Sequence, residues 1–275
     1  MKKHFLIIAA VLFVAAAAAI AAETALVADS MRYDPNTGLI TAIGNVHITN
    51  PDGEVFGDYG SGYSDGDNIE MHGSVRGHFK DDDGGVINFS CLSVEIVGRD
   101  SSNRVILATG NVKLSKGNDA LSASMVVWNS GAQSYSASGG ALGEFAAYSI
   151  DADDVSREKD AFSARNVRRF HERTRNITMS ASRVDGTLRG DEVVEMTAVG
   201  GVVITMPDKD GVMTRATGAR GIYSVARGTV VLSGGATITQ TGRVLNSDEI
   251  VYFLDTGHID AQGNPSIIFE TGRSN

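Results

Sequence analysis

Seven glycines set the rhythm of this chain. Gly44, Gly73, Gly110, Gly139, Gly200, Gly234 and Gly263 follow one another at intervals of 29, 37, 29, 61, 34 and 29 residues. The long interval splits into 26 and 35 if Arg165, in "SARNVRRF", is a degenerate marker. A period near 30 therefore recurs about eight times, which is the signature of a repeat architecture. Each marker interrupts a stretch that otherwise reads as a good strand, as in "LITAIGNVHIT" and "LATGNVKL". Glycine and asparagine are both poor strand formers, so the interruption needs a reason.

Aligning the markers supplies one. Four residues before them stand Ile40, Ile69, Ile106, Tyr135, Met196, Val230 and Ile259, and two before stand Ala42, Met71, Ala108, Ala137, Ala198, Leu232 and Ala261. Two after come Val46, Val75, Val112, Ala141, Val202, Ala236 and Pro265. Four after come Ile48, Leu114, Ile204, Ile238 and Ile267, with Gly77 and Gly143 as exceptions. The positions between are largely polar, among them Glu70, His72, Thr109, Ser136 and Asp260. Period-two alternation on both sides of the glycine means one apolar and one wet sheet face, with the marker as the point where the strand bends over a common interior.

Between markers a second signal recurs in "ADSMRYDPNTG", "SASMVVWNSG", "ATGARGIYSVARG" and "NSDEIVYFLDTG". Each is a short alternating strand ending in an aromatic (Tyr33, Trp128, Tyr223, Tyr252) followed by turn residues, which predicts a hairpin returning into the next bent strand. The 32 glycines and 4 prolines suit many short strands better than helices. The segment 151–176 fits less well. Its acids come first and its arginines last, as along a helix dipole, while its apolar residues follow neither period, so two strands and one helix both stand as readings.

The chain opens with Lys2 and Lys3, an apolar run from Phe5, and small residues to Ala22. This predicts a cleavable secretory signal peptide over residues 1–22, with an uncleaved inner-membrane anchor over 5–22 as the alternative. The mature portion, 23–275, then works outside the cytoplasm. With a formal charge of -9 for the full chain, a nucleic-acid partner is not expected. The one cysteine, Cys91, cannot form an internal disulfide and reads as a small buried apolar residue, so stability rests on the core.

Motifs for chemistry are missing. No nucleophile elbow, phosphate loop, dinucleotide fingerprint or zinc-protease helix occurs, so neither an enzyme nor a cofactor is expected. His72 and His78 are close in sequence but read as solvent-facing strand residues, and the acidic "SDGDN" and "DDDGG" as solvated turns; no metal site is expected. One dense basic group stands out: Arg165, Arg168, Arg169, Arg173 and Arg175. It either meets phosphates or an acidic partner, or it balances the acids of Asp151 to Asp160.

The units "ADSMRYDPNTGLITAIGNVHIT" and "SDEIVYFLDTGHIDAQGN" resemble the OstA-type repeat of the lipopolysaccharide transport family, whose members include LptA, the periplasmic part of LptC and the N-terminal domain of LptD. The resemblance spans essentially the whole mature chain and fits an LptA-like bridge best. It implies an open antiparallel β-jelly roll, all-β, as one roll or as two consecutive rolls dividing near 145–165. It further implies a non-enzymatic periplasmic carrier whose apolar groove shields lipid A acyl chains of lipopolysaccharide between the inner and outer membranes. LptC-like and LptD-like jelly rolls, and further copies of the chain head to tail, would join by edge-strand addition.

Combined with the parity pattern, this gives an expected lipid-facing set of Ile40, Ala42, Val46, Ile48, Ile69, Met71, Val75, Ile106, Ala108, Val112, Leu114, Met196, Val202, Ile204, Val230, Leu232, Ile238, Ile259 and Ile267. Two other classes compete. A structural or adhesive secreted β-repeat protein would keep its rungs nearly constant in length, whereas here they vary from 26 to 37 residues. A carbohydrate-active enzyme would need paired carboxylates ~5–9 Å apart in a cleft.

Overall fold

A computed structural model describes residues 24–64, 66, 68–80, 84–98, 104–189, 192–207 and 211–269. The expected signal peptide, and the aspartates Asp65, Asp67 and Asp81 to Asp83 of the acidic turns, lie outside the described residues. Among the described residues the chain is all-β, with eighteen strands whose paired neighbours run antiparallel. Two compact units are distinguishable, Met1–Phe145 with Ser156–Lys159, and Ala146–Val155 with Asp160–Asn275.

In the first unit the strands are β1 (Ala25–Val27), β2 (Ser30–Tyr33), β3 (Leu39–Asn50), β4 (Gly53–Tyr63), β5 (Ile69–Lys80), β6 (Val86–Val97), β7 (Val105–Lys116), β8 (Asp119–Asn129) and β9 (Ser134–Glu144). From β3 to β9 each pairs with the next. Both β1 and β2 lie along β3, one opposite His47–Thr49 and the other opposite Ile40–Ile43. The second unit holds β10 (Tyr148–Glu158) as far as Val155, then β11 (Ala161–Glu172), β12 (Ile177–Arg189), β13 (Glu192–Pro207), β14 (Met213–Ser224), β15 (Thr229–Gln240), β16 (Arg243–Phe253), β17 (Ile259–Gln262) and β18 (Ser266–Phe269). From β11 to β16 the order is again sequential, and β17 and β18 share β16.

The bend at each marker is a bulge of two residues. In β3, Ile43 faces Tyr59 and Val46 faces Gly57, so Gly44 and Asn45 together oppose the single Asp58. Both are left-handed, at φ +76° and +47°. Such a pair recurs at Gly73-Ser74, Gly110-Asn111, Gly139-Gly140, Gly200-Gly201, Gly234-Gly235 and Gly263-Asn264. The repeat pattern predicts a one-residue corner at the glycine; the chain uses two residues. That difference explains the asparagines, which tolerate the left-handed region better than other side chains. The degenerate marker behaves differently. Asn166 is left-handed at φ +49° while Arg165 is not, and the irregularity moves to between Val167 and Phe170.

Facing strands answer the bulge with core residues three apart instead of two: Cys91 and Val94 on β6, Ala123 and Val126 on β8, Ala181 and Val184 on β12, all buried. Cross-strand rows then form on each side of the corner. Ile106 stands between Ile96 and Trp128, Ala108 between Val94 and Val126, and Leu114 between Phe89 and Leu121. In the second unit Ile204 stands between Met179 and Ala216, and Leu232 between Gly221 and Ile250. Three of the four hairpin aromatics, Trp128, Tyr223 and Tyr252, plug such rows, whereas Tyr33 on β2 is exposed.

Segment 151–176 forms strands, which overturns its helical alternative. Its acids and arginines pair across β10 and β11, 11 to 17 residues apart in sequence, a separation beyond the three or four residues over which a helix brings side chains together.

Candidate functional site

Interior-facing positions of β4 carry almost no side chains. Gly57 and Gly60 are buried, and Gly62 stands opposite Ile40, in rows that β6 fills with Cys91, Val94 and Ile96 and β8 with Ala123, Val126 and Trp128. A Cβ on Gly60 would approach Val46 Cγ1 to 3.3 Å, and one on Gly62 would meet Ile69 Cγ1 at 3.2 Å. The missing side chains leave a cavity of about 370 Å³ at the N-terminal end of the first unit. Its walls are Leu26, Ile40, Ala42, Val46, Ile48 and Ile69, drawn from both sides of the corner, with Tyr63, Ser64 and Glu70 adding polar groups. A concave apolar wall with a few polar groups is the usual form of a site for a small or elongated apolar ligand.

Of the nineteen residues expected to face lipid, Ile40, Ala42, Val46, Ile48 and Ile69 line this cavity. Ile40, Ile48, Ile69 and Ile259 are half-buried, Ile267 is 49% exposed, and the other fourteen are 5% exposed or less. Ile267 is not sheltered because β18, the last described strand, is exposed along its length and pairs with β16 on one side. Leu26, Gly60 and Gly62 also line the site and are absent from the sequence-derived set. Glycine at inward parity in "GEVFGDYGSGY" is the signal that reveals the two glycines.

The arginines do not gather into one patch. Arg165 Nη2 donates to Asp154 at 2.8 Å; Arg168 holds Asp151 at 2.6 Å through Nη2 and also grips Asp153. Asn166, then Arg168, hold the Asp153 carboxyl below the usual carboxylate range, and Asp151 and Asp153 in turn raise Arg168. Arg175 Nη1 donates to the buried Tyr223 hydroxyl at 3.2 Å, and its backbone N–H donates to Glu172 Oε2 at 2.8 Å. Arg173 bonds Ala147 through its backbone, and Arg169 is exposed.

His72 and His78 sit on different carboxylates: His78 Nδ1 is 3.5 Å from Glu54, which His47 Nε2 also approaches at 3.1 Å, and His72 Nε2 is 3.6 Å from Glu70. No metal-holding cluster of three occurs among the described residues. Cys91 is buried, and that burial pushes its thiol up to about 12. No helix among the described residues is long and apolar enough to cross a membrane.

An open, glycine-cornered antiparallel sheet folded over an apolar interior defines the class of the OstA-type lipopolysaccharide transport proteins. The family model described as "LptA/(LptD N-terminal domain) LPS transport protein" matches residues 97–258, more than half of the chain, and the chain belongs to that family. Among solved structures it is similar to that of LptH, titled the LptA homologous periplasmic component of the lipopolysaccharide transport device of Pseudomonas aeruginosa. Identity is 12%, coverage 91% of this chain and 97% of that one, and the TM-score 0.22. No curated protein matches.

Proposed function

We propose that this protein is a non-enzymatic periplasmic bridge that shelters lipopolysaccharide acyl chains in its apolar interior during transport toward the outer membrane. The observation that carries the reading is the cavity walled by Ile40, Ala42, Val46, Ile48 and Ile69. Burying an acyl chain gains ~0.8 kcal/mol per methylene, on the order of 10 kcal/mol for one long chain. A closed cup of that strength would retain its lipid. An interior that continues from one strand row to the next passes the chain between similar surroundings instead.

Partners follow from the edges. β1 and β2 expose Val27, Met31 and Tyr33, and β18 exposes Ile267, Ile268 and Phe269. Such strands add to the sheets of LptC-like and LptD-like neighbours, or to a second copy. The decisive experiment places a photo-activatable residue at Ile40, inside the cavity, or at Ile43, equally apolar but exposed. Lipopolysaccharide crosslinks at 40 and not at 43 support the groove. Absence of capture at both positions in a folded protein returns the lead to a structural or adhesive β-repeat.

A further inference from the structure

Trp128 is the chain's single tryptophan and is 5% exposed. It is the penultimate residue of β8, in the row that holds Ile96 and Ile106 and continues to Tyr135. The same side of the corner supplies Ile40 and Ile69 to the cavity. Its indole N–H is enclosed by protein and meets no hydrogen-bond partner among the described residues. Tryptophan normally places that group on an acceptor when buried, and an unmatched buried donor is costly. A phenylalanine, though smaller, would supply an aromatic ring to the row with no donor to satisfy. The orphaned donor points to an acceptor that arrives with a ligand.

Resting on the lipid-carrier reading above, we propose that Trp128 selects the ligand: its N–H donates to an oxygen carried on an otherwise apolar chain, such as an acyl carbonyl or a chain hydroxyl. Its row neighbours are the buried Ile106 and the half-buried ring of Tyr135, with the buried Val126 on its own strand. A plain alkyl chain reaching this row gains burial and leaves the donor unmatched. An oxygen-bearing chain gains both. The discrimination expected from matching one buried donor is roughly ten-fold.

Two soluble probes of equal chain length test this: sucrose monododecanoate, which carries an ester carbonyl, and dodecyl maltoside, which carries an ether. Each is titrated below its micelle concentration against the full chain preloaded with N-phenylnaphthylamine, and displacement is read from that dye. Ultraviolet Raman of the indole reports the N–H bond in the unsubstituted protein without recourse to any variant. The expected result is roughly ten-fold tighter binding of the ester, a Raman shift on saturation with the ester alone, and equal affinities in Trp128→Phe. Retained preference in a folded Trp128→Phe, or an unshifted indole band in the ester-saturated protein, overturns the proposal. Failure of both probes to displace the dye overturns the lipid-carrier reading itself, and this inference with it.

Discussion

The Asp29 carboxylate accepts two hydrogen bonds from the Asn45 side-chain amide, at 2.9 and 3.2 Å, and lies against the bare Cα of Gly44. The short link between β1 and β2 thus braces the first corner. The arrangement is repeated at Asp248, which receives Asn264 at 3.3 Å and lies over Gly263. Elsewhere the brace changes identity while its place is kept: Leu92 covers Gly110, and Ser124 covers Gly139 while donating to its carbonyl at 2.6 Å.

Gly110→Ala should therefore be costly for two separable reasons. A left-handed alanine is strained at φ +78°, and its Cβ would stand 2.6 Å from Leu92 Cβ. Urea unfolding should show a loss of about 2–4 kcal/mol. Adding Leu92→Gly, which removes the opposing Cβ as well, should relieve the clash component and leave the strain. Asn111→Gly, by contrast, should be nearly neutral, since glycine adopts the φ of +51° freely.

Filling the cavity should separate binding from folding. Gly60→Leu sends an isobutyl group into the cavity past Val46, whose Cγ1 would stand 3.3 Å from the new Cβ and must give by a few tenths of an ångström, so stability should fall by about 1–3 kcal/mol. Crosslinking of lipopolysaccharide through position 40 should be lost while circular dichroism stays that of the parent. Undiminished crosslinking would move the ligand path away from β4.

Acid should weaken the second unit through its paired aspartates. Hydrogen bonds from Arg183 to Asp185, and from Asn166 and Arg168 to Asp153, hold both carboxyls below their ordinary range. A carboxylate depressed in the folded state stabilises the fold above its unfolded value, near 4, and that contribution goes as pH falls through the folded value. The urea midpoint should drop below about pH 4, and the drop should be shallower in Arg168→Ala/Arg183→Ala. Equal slopes in parent and variant would remove these pairs as the cause.

Cys91 should be silent to thiol reagents while the protein is folded. Burial raises its thiol to about 12, so the neutral form dominates at pH 8. Because the shift is upward, the thiol favours the folded state at neutral pH, and this preference is lost as pH rises from about 9 toward 12. Dithionitrobenzoate should label it in 8 M urea and hardly at all without. Fast native labelling would contradict the buried position.

Arg175 should act as a clasp within the second unit. It sits in the turn after β11, yet its guanidinium reaches the Tyr223 hydroxyl at the far end of β14. Arg175→Ala should cost about 1 kcal/mol and speed amide exchange in the turns at 225–228 and 254–257. Unchanged exchange there would confine the contact to local packing.

Much of this protein is set by local rules that a linear reading recovers. Alternation about each marker put Ile106, Ala108, Val112 and Leu114 on one buried face, because pleat parity is a property of the backbone and needs no knowledge of neighbours. The family resemblance drew on the same repeats. Tertiary structure decided the rest. The second left-handed residue, Asn45 or Asn111, became intelligible only when one residue of the facing strand was seen to oppose two. The strand form of 151–176 depended on cross-strand pairing of Arg165 and Arg168 with aspartates that lie too distant in sequence for a helix to use. The location of the cavity also depended on which strands stack bare glycines against Val46 and Ile69. Free volume belongs to several strands at once, and no single segment of sequence carries it.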